Sequence, residues 1–449
     1  MPTSTTAEPA SAELSERLYG ILTGDGPEDR ACASIPEAAC TDVPRNYLLN
    51  LANGACTKLA EQLASPGLTL PWMMAALGVP ASLLAFLSPI KQVGSLLPQM
   101  AVAAQIRQLQ QRKWAWVVAG VIQGFLLLAI IPAVIFLEPL AAGVAILFLF
   151  TLFSMASGAG SVAFQDVTGK TIPKGRRGRL LAHRAAFGGA LTLVAALGLR
   201  FWLGESDDFQ PYLWLIFTAG LLWLLASLLF SSIEEEPGAG EGGRNMLSEV
   251  RRGFGLVRKG SGFRAYLAAR AALTSVEVGM PIFVLHAHGL TQGAGALGIF
   301  IVAIGLANIL SSPIWGKLSD RTARRVMIFA GLLGAAAAFL ALAIGFLAAE
   351  EISPLLYAPA FLLLGIAEAG ARLGRKTYLV DAAPSEERPL YVAFSNSLVG
   401  VVALLLGGLG VLADVAGAAT ALLVFAALAL AAAGLSAAMP EADKMVESA

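Results

Sequence analysis

Seven charged side chains stand inside apolar stretches of this 449-residue chain: Lys58, Glu61, Lys91, Arg200, Arg270, Glu277 and Glu368. A charge in hydrocarbon costs about 2.5–3.5 kcal/mol even on lenient scales, so it persists where it is paired or lines a polar pathway. Lys58 and Glu61 are three residues apart and share a helix face. Counted from the ends of its stretch, Lys91 falls near the middle, and Lys58, Glu61 and Glu277 fall at similar depth. Two bases and two acids at one level form a charge-balanced cluster. Its chemistry would be proton uptake and release at Glu61 or Glu277, with Lys58 or Lys91 holding an anionic part of a solute. The alternative is that Lys58–Glu61 and Lys91–Glu277 are structural ion pairs, which proteins often retain without further use. Glu368 and Arg270 lie nearer the basic ends of their stretches and read as gate residues, and Arg200 reads as a snorkelling side chain. Asn50, Asn53, Gln92, Gln99, Gln123, Gln165, Asn308 and Asn396 are candidates for hydrogen bonds to solute or between helices.

The elements that must carry these residues follow from composition. The chain is 57% hydrophobic and only 14% charged, whereas soluble domains are about a quarter charged. Apolar runs occupy 46–64, 79–102, 114–137, 140–163, 185–203, 211–232, 264–285, 295–316, 326–349, 354–372, 389–411 and 414–438. Each is of a length that crosses a bilayer as a helix of about 20 residues, and lipid admits no open sheet. The gaps at 103–113, 166–184, 233–264, 317–325 and 372–388 hold Lys and Arg, whereas the intervening gaps hold none. Basic residues stay on the cytoplasmic side. The expectation is an all-α integral membrane protein of twelve transmembrane helices in two pseudo-symmetric six-helix halves, with both termini in the cytoplasm. Its parts are a tail (1–45), an N-terminal half (46–232), a cytoplasmic linker (233–263), a C-terminal half (264–438) and a second tail (439–449). Arg112-Lys113 answers Arg324-Arg325, and Pro173 with Arg177 answers Pro384 with Arg388, at a near-constant offset that marks a duplication.

Enzymatic signatures are missing from the sequence: there is no HExxH, GxSxG or GxxxxGK[ST]. His286 and His288 have no Cys, Asp or Glu nearby to complete a metal set. No cofactor and no nucleic-acid partner is expected. Cys32, Cys40 and Cys56 read as reduced thiols, His183 as a solvated loop residue, and residues 11–22 as one short amphipathic helix in a tail without a cleavable signal peptide.

The segment Gly316-Lys-Leu-Ser-Asp320-Arg321-Thr-Ala-Arg324-Arg325 lies between the eighth and ninth runs. It resembles the G-x-L-x-D-R-x-G-R-R loop of the major facilitator superfamily, and the resemblance extends over residues 46–438. It implies helices 1, 4, 7 and 10 around a central cavity, flanked by 2, 5, 8 and 11; Lys58, Glu61, Lys91, Glu277 and Glu368 all fall on those helices. It also implies that Gly316, Asp320, Arg321, Arg324 and Arg325 form a cytoplasmic gate, the acid at a helix N-terminus and the bases on carboxylates. The chain departs from the pattern at Ala323, and its first-half counterpart has Ala101 and Gln105 where the family has Gly and Asp. The fifth run lacks the proline of the drug/proton antiporters. The resulting expectation is a monomeric, proton-coupled secondary active transporter of a small molecule in the cytoplasmic membrane. The alternatives are a uniporter, or a non-transporting sensor or scaffold.

Overall fold

A computed structural model describes residues 10–24, 40–95, 109–173, 176–202, 210–237, 261–291, 294–319, 321–348, 352–383 and 388–445. Every regular element among them is helical. The first group comprises α1 (Ala10–Thr23), α2 (Val43–Leu63), α3 (Thr69–Ala76), α4 (Ala81–Ala85), α5 (87–95), α6 (Lys113–Phe136), α7 (Pro139–Thr171), α8 (Arg177–Trp202) and α9 (Gln210–Ser231). The second comprises α10 (Ser261–Val278), α11 (Met280–His288), α12 (Ala294–Ser319), α13 (Ala323–Leu347), α14 (Pro354–Ala382), α15 (Arg388–Leu406), α16 (Gly408–Ala416) and α17 (Ala418–Ala438).

Ten helical stretches are long and apolar enough to cross a membrane. The expected runs 46–64 and 79–102 are not among them. The first lies on α2, which carries Asn46, Asn50, Asn53, Lys58 and Glu61 and is too polar to qualify alone. It stops at Ser65-Pro66-Gly67, where Pro66 offers no N–H. The chain resumes as α3, whose Leu70, Met73 and Met74 are fully buried, so the gap expected at 65–78 is largely core. The second run begins as α4 and α5 and continues outside the described residues. The seventh run is interrupted in the same way as the first: Gly279 separates α10 from α11, with Pro281 in the first turn of α11.

Within the first group α6 packs on α7 and α9, and α2 on α8 and α9; within the second, α14 packs on α12 and α13, and α17 on α10 and α13. The groups meet where α8 lies along α12, α3 against α11, and α4 against α16. Phe136, Phe148 and Phe346 stand out from the bundle, 81%, 64% and 91% exposed. A face of that kind suits lipid tails rather than water.

The short tail helix forms as the sequence predicts, and it is docked. Tyr19 is buried edge-to-face on Tyr47 at 5.3 Å, in a small core with Val43, Leu51, Ile172 and Leu180. Arg179 donates to the Thr23 carbonyl. His183 is no loop residue: it sits on α8, with Nδ1 2.9 Å from the Tyr47 hydroxyl. Cys40 is disulfide-bonded, which corrects the expectation of a reduced thiol there; Cys56 is free.

Candidate functional site

A cavity of about 360 Å³ lies where the two groups meet, walled by α5, α10, α12, α14 and the Ser65–Leu68 interruption. Lys91, Glu277 and Glu368, three of the five expected site residues, line it directly. Gln62, Ser65, Ser88, Gln92 and Asn308 supply neutral polar groups, and Arg372 and Arg375 supply two further cations.

Lys58 and Glu61 form the expected pair, with Nζ 2.8 Å from Oε2. They occupy the middle of the α2–α3 path, yet their side chains are 51% and 36% exposed, so the space between the helix groups reaches them. Lys58 lies within electrostatic range of Arg372 on the other group, and Glu61 within range of Lys91 and Arg184.

The expected Lys91–Glu277 pair is not formed. Glu277, with a side chain only 4% exposed, ion-pairs with Arg375 at 2.6 Å and accepts a bond from Gln92 Nε2 at 3.3 Å. Lys91 instead donates to Ser157 Oγ at 3.0 Å and stands 4.8 Å from the centre of the Phe153 ring. Glu368 pairs one turn along its own helix with Arg372 at 2.9 Å, and Arg372 reaches Asn308 Oδ1 at 3.5 Å. Glu368 thus belongs to the cavity wall.

Arg372 and Arg375 stood in a loop by the sequence reading. They are on α14, which continues to Ala382 because no proline between Arg372 and Pro384 removes a helical N–H. Arg184 was missed for the same reason. It is buried on α8 and donates to the Asn50 carbonyl at 2.7 Å, to the Asn50 side chain and to Asn53 Oδ1 at 3.1 Å, over the face of Phe164. Asn50 and Asn53 are thereby held by an interhelical network, and Asn53 also donates to the Ala226 carbonyl at 2.9 Å. Arg270 is equally buried, bonding Ser395 and, at 2.5 Å, Asn396; it clasps α10 to α15. The Arg200 side chain, expected to snorkel, lies outside the described residues, as does Gln99.

An aromatic layer joins the two groups at the end of the bundle opposite the chain termini. Trp72 on α3 is buried edge-on against His288 at 5.1 Å and Phe300 at 5.6 Å, and donates to the Tyr212 hydroxyl at 2.9 Å. Phe300 stacks on Phe361 at 4.3 Å, and His286 Nδ1 lies 2.9 Å from the Tyr357 hydroxyl. Beside this aromatic layer, Asp414 on α16 accepts from the backbone N–H groups of Ala81 and Ser82 at 2.7 and 2.8 Å. An anion there satisfies two of the free donors at the start of α4. The approach is close because Gly410 has no side chain: a Cβ on it would stand 2.5 Å from the Ala81 carbonyl oxygen.

At the terminal end, Asp320 lies outside the described residues. Arg324 pairs with Glu441 at 2.8 Å and donates to the Met439 carbonyl at 3.0 Å, while Thr322 caps α13 through Arg325 N–H. Arg321 and Arg325 are exposed, and a Cβ on Gly316 would touch nothing. The first group has a matching cluster. Glu235, its side chain fully buried, accepts from Lys113 N–H at 2.7 Å and Lys170 at 3.0 Å, and Arg112 pairs with Asp166 at 3.1 Å. These contacts tie each group to itself.

Three kinds of likeness to known proteins agree with this geometry. The chain is 26% identical over 272 residues to the uncharacterized protein Rv2209 of Mycobacterium tuberculosis, a match covering 59% of this chain and 52% of the relative. The same identity and coverage hold for the uncharacterized protein Mb2232 of Mycobacterium bovis, so the chain spans about half the length of the curated relatives it matches. Among solved structures, the fold is similar to the nucleoside transporter NupG, with a TM-score of 0.64 at 13% identity, covering 87% of this chain and 98% of that one. It is also similar to the inward-open xylose transporter XylE of E. coli, with a TM-score of 0.63 at 12% identity, covering 90% and 98%. The family model described as Major Facilitator Superfamily matches residues 51–348 and 294–445. With that match running from α2 to the end of the last helix, the chain belongs to the Major Facilitator Superfamily of membrane transporters.

Proposed function

We propose that the protein is a proton-coupled secondary active transporter that moves a small solute across the cytoplasmic membrane by alternating access. The observation that carries this reading is a charged cavity in mid-bundle, contacted by both helix groups and sealed at one end by Trp72, His288 and Phe300. In this reading the interrupted α2–α3 path and the path starting with α4 and α5 join the ten apolar stretches to make twelve spans in two halves of six. The basic gaps put the termini in the cytoplasm, so the closed end faces outward and this state faces inward. Glu61, beside Lys58 and partly exposed between the helix groups, is the favoured proton carrier. Glu277 and Glu368 are each already matched to an arginine, the first tying α10 to α14 through Arg375 and the second pairing along α14 with Arg372. Gly316, Asp320, Arg321, Arg324 and Arg325 act as a gate on the cytoplasmic side, with Arg324 anchoring the loop to Glu441. The carrier works as a monomer.

The test is a solute library applied to proteoliposomes loaded with a pH-sensitive dye. A solute that shifts lumenal pH in wild type and does so no longer in Glu61→Gln supports coupling. Uptake of labelled solute with no pH change makes the protein a uniporter. If no member of the library crosses at all, the transport reading fails.

A further inference from the structure

We infer that the solute carried is a small organic anion, a carboxylate or phosphate ester with further hydrogen-bonding groups, whose negative charge seats on Lys91. This rests on the transport reading above and names its substrate class.

Of the three cations that line the cavity, Arg372, Arg375 and Lys91, two are ion-paired and one is not. Arg375 is matched by Glu277 at 2.6 Å, Arg372 by Glu368 at 2.9 Å, and Lys58 by Glu61 at 2.8 Å. Lys91 lines the same cavity and, among the described residues, has no carboxylate within ion-pair distance. Its ammonium rests on one hydroxyl, Ser157 Oγ at 3.0 Å, and one ring face, Phe153 at 4.8 Å. Those contacts aim the group and use one of its three donors. The remaining donors have no hydrogen-bond partner among the described residues, and Glu61, which acts on the ammonium from beyond ion-pair distance, is already paired with Lys58, so a charge inside a membrane is left only partly offset, at a penalty. A bound anion removes the penalty, whereas a cationic solute would add to it. The facing walls fit such a guest: Gln62, Ser65, Ser88, Gln92 and Asn308 offer hydroxyl and amide groups. A cavity of about 360 Å³ sits near the small end of ligand sites.

The test is thermal unfolding of the purified full chain with charge-matched probes. Lactate, succinate, benzoate, glutamate and glycerol 3-phosphate are each compared with the uncharged amide or alcohol of the same skeleton. Concentrations rise to about 10 mM, above the usual range of substrate constants. At least one anion should raise Tm while its uncharged analogue does not. Lys91→Gln should weaken that binding about tenfold or more, and Lys91→Arg should retain part of it. Whether the responding probe is a carboxylate or the phosphate ester identifies the headgroup. The inference is overturned if no anion stabilises the wild type, if acid and amide act alike, or if the shift survives in Lys91→Gln. The first two results need no variant, so a misfolded Lys91→Gln leaves the test intact. Uptake of the stabilising acid by proteoliposomes is then measured separately. An acid that binds through Lys91 but never crosses defeats the transport reading and leaves the anion site standing.

Discussion

Asp414 and Ala81 lie 333 residues apart, and the carboxylate of one takes the backbone N–H of the other at 2.7 Å. The second oxygen takes Ser82 N–H at 2.8 Å. The contact joins α16 to α4 at the closed end of the bundle, and both partners are polar groups whose alternative is water. Asp414→Asn keeps the shape but removes the charge that favours a helix N-terminus and turns one of the two accepting oxygens into a donor, a loss of about 1 kcal/mol at an exposed position. Amide hydrogen exchange over residues 77–86 should then quicken roughly fivefold, the population change equivalent to that energy. Unchanged protection would mean that the aromatic layer alone holds this end shut.

Gly410 supplies the proximity. Its missing side chain lets α16 approach until a Cβ would stand 2.5 Å from both the Ala81 carbonyl oxygen and the Ala85 Cβ. Neither atom is the end of a flexible chain, so Gly410→Ala must push the helices apart. A loss of about 1–3 kcal/mol is expected, as for other overpacked contacts. It should appear as a lower Tm together with the faster exchange of Asp414→Asn. A Tm equal to wild type would show that the helices tolerate the wider spacing.

Glu277 and Arg375 form a nearly enclosed pair, with side chains 4% and 18% exposed. Removing one partner strands the other, at about 3–5 kcal/mol for a buried pair. Glu277→Gln should therefore lower thermal stability more than the double variant Glu277→Gln with Arg375→Met. A double-mutant cycle in Tm measures this, and simple additivity of the two changes would discard the coupling.

Arg184 joins α8 to α2 through Asn50 and Asn53. Arg184→Gln leaves Asn50 and Asn53 without their buried donor, a penalty of about 1–3 kcal/mol per unsatisfied group. Arg184→Lys should recover only part, since all three bonds leave one terminal guanidinium nitrogen that a shorter lysine does not reach, and lysine lacks the flat group that lies over Phe164. Equal Tm values for the lysine variant and wild type would reduce the network to a point charge.

The residues that remained hidden in the sequence share a cause. Arg184, Arg372 and Arg375 are basic, and basic residues were taken to end apolar runs. Their helices continue because cations can pair inside a polar cavity as readily as outside the membrane, and hydropathy does not record which way a side chain faces. Lys58–Glu61 was legible because three residues of one helix fix their own geometry. The partner of Glu277 was not, since Gln92 and Arg375 reach it from α5 and α14, and that register is decided by packing between helices. Ser65-Pro66-Gly67 carried its signal openly, but a proline and glycine between apolar stretches read as a surface turn. Only the buried residues on both sides show the chain continuing through the core.

That interruption and its counterpart at Gly279 alter what must happen for the closed end to open. A rod cut in two transmits little torque past the cut. Beyond the cuts, α3 and α11 are only eight and nine residues long, and they pack on each other. In the proposed transport cycle they would act as a pair of shutters, shifting together while the longer rods below keep their partners. The slow step of that proposed cycle is then local, at Trp72, His288 and Phe300. Changes in bilayer thickness should leave turnover nearly untouched, whereas trimming Trp72 should accelerate it.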